Sequence, residues 1–107
     1  MIEKGLVKAG DTGEITEGHP KSLVLNGESV VVFCAAEQYF AVRNRCPHQQ
    51  FERLHEGEVD DTIVTCPMHG WKFDLRTGIS LNGSGRLKIF GTVVKNGLIM
   101  VECDGEG

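Results

Sequence analysis

A chain of 107 residues with 40% hydrophobic and 24% charged side chains has the make-up of one small globular domain, able to bury roughly two thirds of its unfolded surface around a single core. Its formal charge of -4 argues against a nucleic-acid binder, which would carry a basic excess. The longest apolar run, residues 30–36, is far short of the roughly twenty that cross a bilayer, so no transmembrane helix and no membrane partner are expected.

The opening "MIEKGLVKAGDTGE" has neither the cationic stretch nor the apolar core of a secretory leader, which makes the cytoplasm the expected compartment. Thiols stay reduced there, so the four cysteines are expected free and not as two disulfides. Short apolar and β-branched runs punctuated by fourteen glycines read as strands joined by tight turns. In chain order these are 5–8; "SLVLNGESVVVFCA", a hairpin turning at Asn26 and Gly27; 39–43; 62–65; 71–74; 87–90; and "GTVVKNGLIMVE", a hairpin turning at Asn96 and Gly97. No window repeats with helical spacing. The expected fold is all-β and mainly antiparallel, one domain over 1–107, with 44–84 reading as an insertion of loops and short strands between the strands of a simpler sandwich.

That insertion holds a Cys-Pro-His and, further on, a Cys-Pro-Met-His: Cys46 and His48, seventeen intervening residues, then Cys66 and His69. Each pair follows a predicted strand, and Pro47 and Pro67, which fix φ and donate no backbone hydrogen bond, stiffen both loops beside the candidate ligands. Two thiols and two imidazoles can hold zinc tetrahedrally, as in a zinc-stabilised binding module. Zinc fingers, however, pair Cys with Cys and His with His, whereas each loop here mixes the two. Mixed pairs are what a two-iron cluster needs if one iron takes both thiolates and the other both imidazoles.

The paired motif resembles that of the Rieske-type [2Fe-2S] ferredoxins. The resemblance implies an antiparallel β sandwich with a cluster-binding subdomain at about 44–84, and one [2Fe-2S] cluster. It also implies Cys46 and Cys66 as ligands of the inner iron and His48 and His69 as ligands of the outer, solvent-facing iron through which electrons leave. With both irons ferric, two thiolates and two neutral imidazoles make the site neutral, and reduction takes it to -1. A four-thiolate site would go from -2 to -3, which is why Rieske potentials of roughly -150 to +300 mV lie above about -400 mV for plant-type ferredoxins. High-potential relatives add a disulfide between the two loops and Ser and Tyr hydroxyls bonded to cluster sulfurs. Phe51, Met68, Trp71 and Phe73 stand at the corresponding positions here, so a potential in the lower part of the range is expected.

Two departures stand out. Gln49, Gln50 and Phe51 replace the glycine usual soon after the first His, and "LNGSGRL", residues 81–87, replaces a proline-rich segment. Among the remaining residues, His19 and His55 read as solvated surface side chains, Cys34 and Cys103 as small core residues, and Trp71 and Phe73 as loop or core supports. Pro47, Phe51 and Met68 are candidates for an apolar rim around the exposed histidines. Arg43, Arg45, Arg53, Lys72 and Arg76 read as solvated charge, with steering of an acidic partner as the sharper alternative. No second His-rich iron site and no dinucleotide fold can be found: "GSGRLK" lacks the third glycine and a following helix. The resemblance therefore implies a non-catalytic electron carrier between a reductase and a terminal oxygenase such as an aromatic-ring dioxygenase. Its alternatives are the small Rieske subunit of an assimilatory nitrite reductase, working with that enzyme's large subunit, and, from another class, a zinc module or redox sensor.

Overall fold

A computed structural model describes residues 5–25, 27–44, 54–67, 70–82 and 85–103. Ten strands fall into three antiparallel sheets: β1 (Gly5–Asp11), β10 (Leu98–Cys103) and β9 (Thr92–Lys95); β2 (Lys21–Leu25), β3 (Glu28–Ala35), β4 (Gln38–Arg43) and β8 (Ile89–Phe90); and β5 (Glu58–Asp60), β6 (Ile63–Thr65) and β7 (Lys72–Asp74). The helical element among the described residues is one 3-10 turn, Leu54–Glu56.

The second sheet is the middle layer. β3 alternates as a strand must, but both of its faces are covered: Val30 and Val32 point into one core with Ala9, Ile15, Leu25, Ala41, Ile99 and Val101. Val31, Phe33 and Ala35 point into the other, with Val42, Leu54, Val64, Cys66, Phe73, Leu75 and Leu87. This double burial explains the unbroken apolar run at 30–36, since a half-exposed strand would alternate with polar residues. The first core seals the sandwich, and the second fastens the small third sheet onto it.

Tight turns set the registers. Asn96 and Gly97 both take positive φ, 54° and 77°, joining β9 to β10 with Lys95 opposite Leu98 as the sequence predicts. The β2–β3 hairpin closes with Leu25 opposite Glu28, although Asn26 lies outside the described residues. The β3–β4 turn departs from expectation, because Ala36 and Glu37 adopt φ of 51° and 65° without a glycine. At Gly91 the chain passes from the second sheet to the first, and Thr92 Oγ1 donates to the Tyr39 carbonyl (3.0 Å) across the step.

Candidate metal centre

β6 and β7 form a hairpin in the third sheet, with Thr65 paired to Lys72. Cys66 follows β6 directly. Its N–H donates to the Trp71 carbonyl (2.7 Å) and its carbonyl accepts from Gly70 N (3.1 Å), so the loop is closed at its base by backbone bonds. Cys66 itself is 2% exposed and belongs to the core that β3 shares with the third sheet. Gly57, just after the 3-10 turn, lies against the end of β6: a Cβ on it would stand 2.4 Å from the Thr65 carbonyl oxygen, a contact only glycine permits. Phe73 is fully buried in the same core and Trp71 packs against it, the supporting role read for both from the sequence.

The other loop leaves β4 at Arg43 and Asn44. Asn44, 2% exposed, is a buried polar hub. Its backbone N–H donates to the Ser29 carbonyl (2.9 Å), and its Nδ2 donates to Ser29 Oγ (3.2 Å). Its Oδ1 accepts from His55 N (2.8 Å), while Nδ2 lies 3.0 Å from His55 Nδ1. Because a backbone N–H can only donate, Oδ1 must face it, which fixes the side-chain amide the right way round. One side chain thus ties the residue entering the first loop to the turn that follows it and to β3. Cys46, His48 and His69, together with Pro47, Met68, Arg45, Arg53 and the stretch from Gln49 to Phe51, lie outside the described residues, so Cys66 is the one candidate ligand whose surroundings are described.

The other residues singled out from the sequence sort clearly. His19 is exposed, as expected, but His55 is not a freely solvated side chain: it is half-buried and bonded to Asn44, because the turn holding it packs beneath the second sheet. Cys34 is partly buried and packs against the sandwich core, while the side chain of Cys103 lies outside the described residues. Burial pushes the Cys34 thiol up, the Glu17 carboxylate adds to this, and a hydrogen bond with Tyr39 opposes it, so the thiolate form is disfavoured there. Arg43 is paired with Glu28 and Arg76 with Asp74 (3.1 Å), which removes both from a steering ring; Lys72 is exposed. Asn82 was missed: its side chain reaches back to the second loop, accepting from Lys72 N (2.9 Å) and donating to the Gly70 carbonyl (3.1 Å).

The Rieske [2Fe-2S] domain matches residues 5–89, which spans both loops and most of the sandwich. The chain belongs to the Rieske [2Fe-2S] domain family. The anthranilate 1,2-dioxygenase ferredoxin subunit of Burkholderia cepacia is 38% identical over 69 residues, 64% of this chain and 63% of that protein. This chain therefore spans less than two thirds of the length of the curated relatives it matches first. Among solved structures, the ferredoxin of carbazole 1,9a-dioxygenase from Nocardioides aromaticivorans superposes with a TM-score of 0.83 at 25% identity, over 91% of this chain and 96% of that one. A Mycobacterium tuberculosis protein described as the small subunit of an NADH-dependent nitrite reductase superposes with a TM-score of 0.87 at 21% identity, over 95% and 97%, a likeness of fold.

Family membership decides between the zinc and iron–sulfur readings: the cofactor is one Rieske-type [2Fe-2S] cluster. The donor chemistry fits it, with two thiols and two imidazoles in two loops, and so does the placing of Cys66, a buried sulfur at the end of a strand in a loop whose backbone is already bonded. No helix among the described residues is long and apolar enough to cross a membrane.

Proposed function

We propose that this protein is a one-electron carrier, taking electrons from a reductase and passing them to a terminal oxygenase such as an aromatic-ring dioxygenase. Cys46 and Cys66 hold one iron as thiolates, and His48 and His69 hold the other through imidazole nitrogens, within a cluster-binding subdomain of about 44–84 in a single domain over 1–107. The observation that carries the reading is the buried Cys66 at the sealed end of β6, in a family whose members bind this cluster. When bound, the cluster supplies a reversible one-electron step in which the site changes from neutral to -1.

The chain's own residues confine that step to one place. Asn44 and the Leu54–Glu56 turn brace the first loop, and the Cys66–Trp71 and Gly70–Cys66 backbone bonds brace the second. Trp71 and Phe73 bring no hydroxyl to the cluster, which supports a reduction potential in the lower part of the roughly -150 to +300 mV Rieske range. That the relatives are ferredoxin subunits of dioxygenases supports a carrier without catalysis of its own. The chain works in the cytoplasm, where thiols persist; the described cysteines, Cys34 and Cys66, are both free of disulfides.

Purified protein should contain two irons and two acid-labile sulfides per chain and, reduced with dithionite, give the electron paramagnetic resonance signal of a cluster with imidazole ligands. His48→Ala and Cys66→Ala should lose both. Colourless protein holding zinc without sulfide would overturn the proposal. A second reading, the small subunit of a nitrite reductase, draws on the likeness of fold to the mycobacterial protein. Electron delivery to a nitrite reductase large subunit and none to an oxygenase would favour it.

A further inference from the structure

The segment "LNGSGRL", residues 81–87, begins at a defined place in the fold. Residues 79–82 run along the free edge of β7: Asp74 N donates to the Ile79 carbonyl (3.1 Å), Leu81 N donates to the Lys72 carbonyl (2.8 Å), and Phe73 bridges Ser80. This ladder delivers Asn82 to the base of the second ligand loop. Its amide then grips two peptide groups at once, those on either side of Trp71, through Lys72 N at 2.9 Å and the Gly70 carbonyl at 3.1 Å.

The grip falls where the loop is least able to hold itself. Gly70 follows His69 directly and takes a φ of 74°, in the left-handed region, and a glycine offers the least resistance to rotation of its peptide planes. Its N–H is held by the Cys66 carbonyl, and its carbonyl is held by Asn82. Trp71, the next residue, is fixed at its carbonyl by Cys66 N and flanked on both sides by the Asn82 amide.

We infer that Asn82 is a positioning residue for the metal centre: its side-chain amide locks the Gly70–Lys72 backbone that directly follows the proposed ligand His69, and so steadies the hold on the cluster. The inference rests on the ligand assignment above.

The test uses holoprotein with Asn82→Leu, of similar volume and without either bond, and Asn82→Asp, which keeps an acceptor for Lys72 N but sets a carboxylate oxygen against the Gly70 carbonyl. Three readouts are taken: the rate of cluster loss from visible absorbance, the resonance g-values of the reduced state, and residue-resolved hydrogen exchange of the Lys72 amide. Asn82→Leu should lose the cluster about fivefold faster, the scale of two partly solvated hydrogen bonds, and Asn82→Asp, which gives up one of them, about twofold faster or more. Both should also broaden or shift the g-values, while Lys72 exchange accelerates in Asn82→Leu alone. A merely structural role would lower the thermal midpoint without moving the g-values. Parent-like cluster loss, g-values and exchange in both variants overturn the inference while leaving the ligand assignment standing. A parent protein without iron and sulfide overturns both.

Discussion

Replacing Asn44 by alanine is expected to cost about 3 kcal/mol of folding stability. Among the described residues the side chain bonds to Ser29 Oγ, to His55 Nδ1 and from His55 N, each contact worth about 1 kcal/mol net. His55 is half-buried, so water can reach it after truncation and keeps the loss near this sum; a sealed site would add the larger penalty of an unsatisfied group. For a domain of this size 1 kcal/mol moves the midpoint by roughly 4–8 °C, so Asn44→Ala should melt on the order of 12–24 °C below the parent. Because folding and cofactor binding are coupled, the measurement is a comparison at one scan rate, with far-ultraviolet circular dichroism and visible cluster absorbance followed together. Absorbance should fall no later than circular dichroism, since Asn44 stands two residues before Cys46. Asn44→Asp, which keeps the acceptor for His55 N, should lose less. An alanine variant melting within about 3 °C of the parent would refute the view that this hub braces the first loop.

Three other outcomes follow from the geometry. Gly78→Ala should destabilise by about 2–4 kcal/mol in chemical denaturation, because the residue sits at φ 81° and the new Cβ would stand 2.5 Å from the Leu87 carbonyl oxygen, a backbone atom that cannot step aside; a midpoint equal to that of the parent would contradict this. The double change Ala36→Asn with Glu37→Gly should raise stability by about 1 kcal/mol, since it gives the β3–β4 turn residues that accept the positive φ both positions already have; a lower melting temperature would count against it. The Arg76 guanidinium and backbone N–H hold the Asp74 carboxyl below its usual range, so their contribution is present above the unfolded pKa near 3.9 and is lost as pH falls through the lower folded value. Asp74→Asn should therefore trail the parent by under about 1 kcal/mol at pH 7 and converge with it in acid, and a gap that widens below pH 4 would show the sign to be wrong.

Periodic strands and glycine turns could be read from the sequence because they are local. The hairpins around Gly27 and Gly97 and the sandwich they build needed only alternation and a residue tolerant of positive φ. β5 could not be read: Glu58, Val59 and Asp60 offer one apolar residue, and the strand exists because β6 lies beside it. The β3–β4 turn was hidden because Ala36 and Glu37 carry no turn chemistry, and the pairing of Phe33 with Phe40 and Val31 with Val42 imposes it. The candidate ligand motif stood out by residue type and spacing, whereas the groups around it did not. Asn44, His55 and Asn82 act across 10 to 15 residues of chain through side-chain geometry, which no spacing rule encodes. The charges were legible only as charges: that Arg43 answers Glu28 and Arg76 answers Asp74 depends on strand register and a turn.

The middle strand has a consequence for the proposed electron carriage. On that proposal each electron transferred changes the charge at the cluster, and any scaffold that yielded to that change would spend part of the driving force on rearranging itself. Wedged between two layers, β3 cannot slide by a residue without turning Val30 and Val32 toward one layer's neighbours and Val31 and Phe33 toward the other's, so both would have to open together. A frame so doubly pinned resists being reshaped when the charge beside it changes.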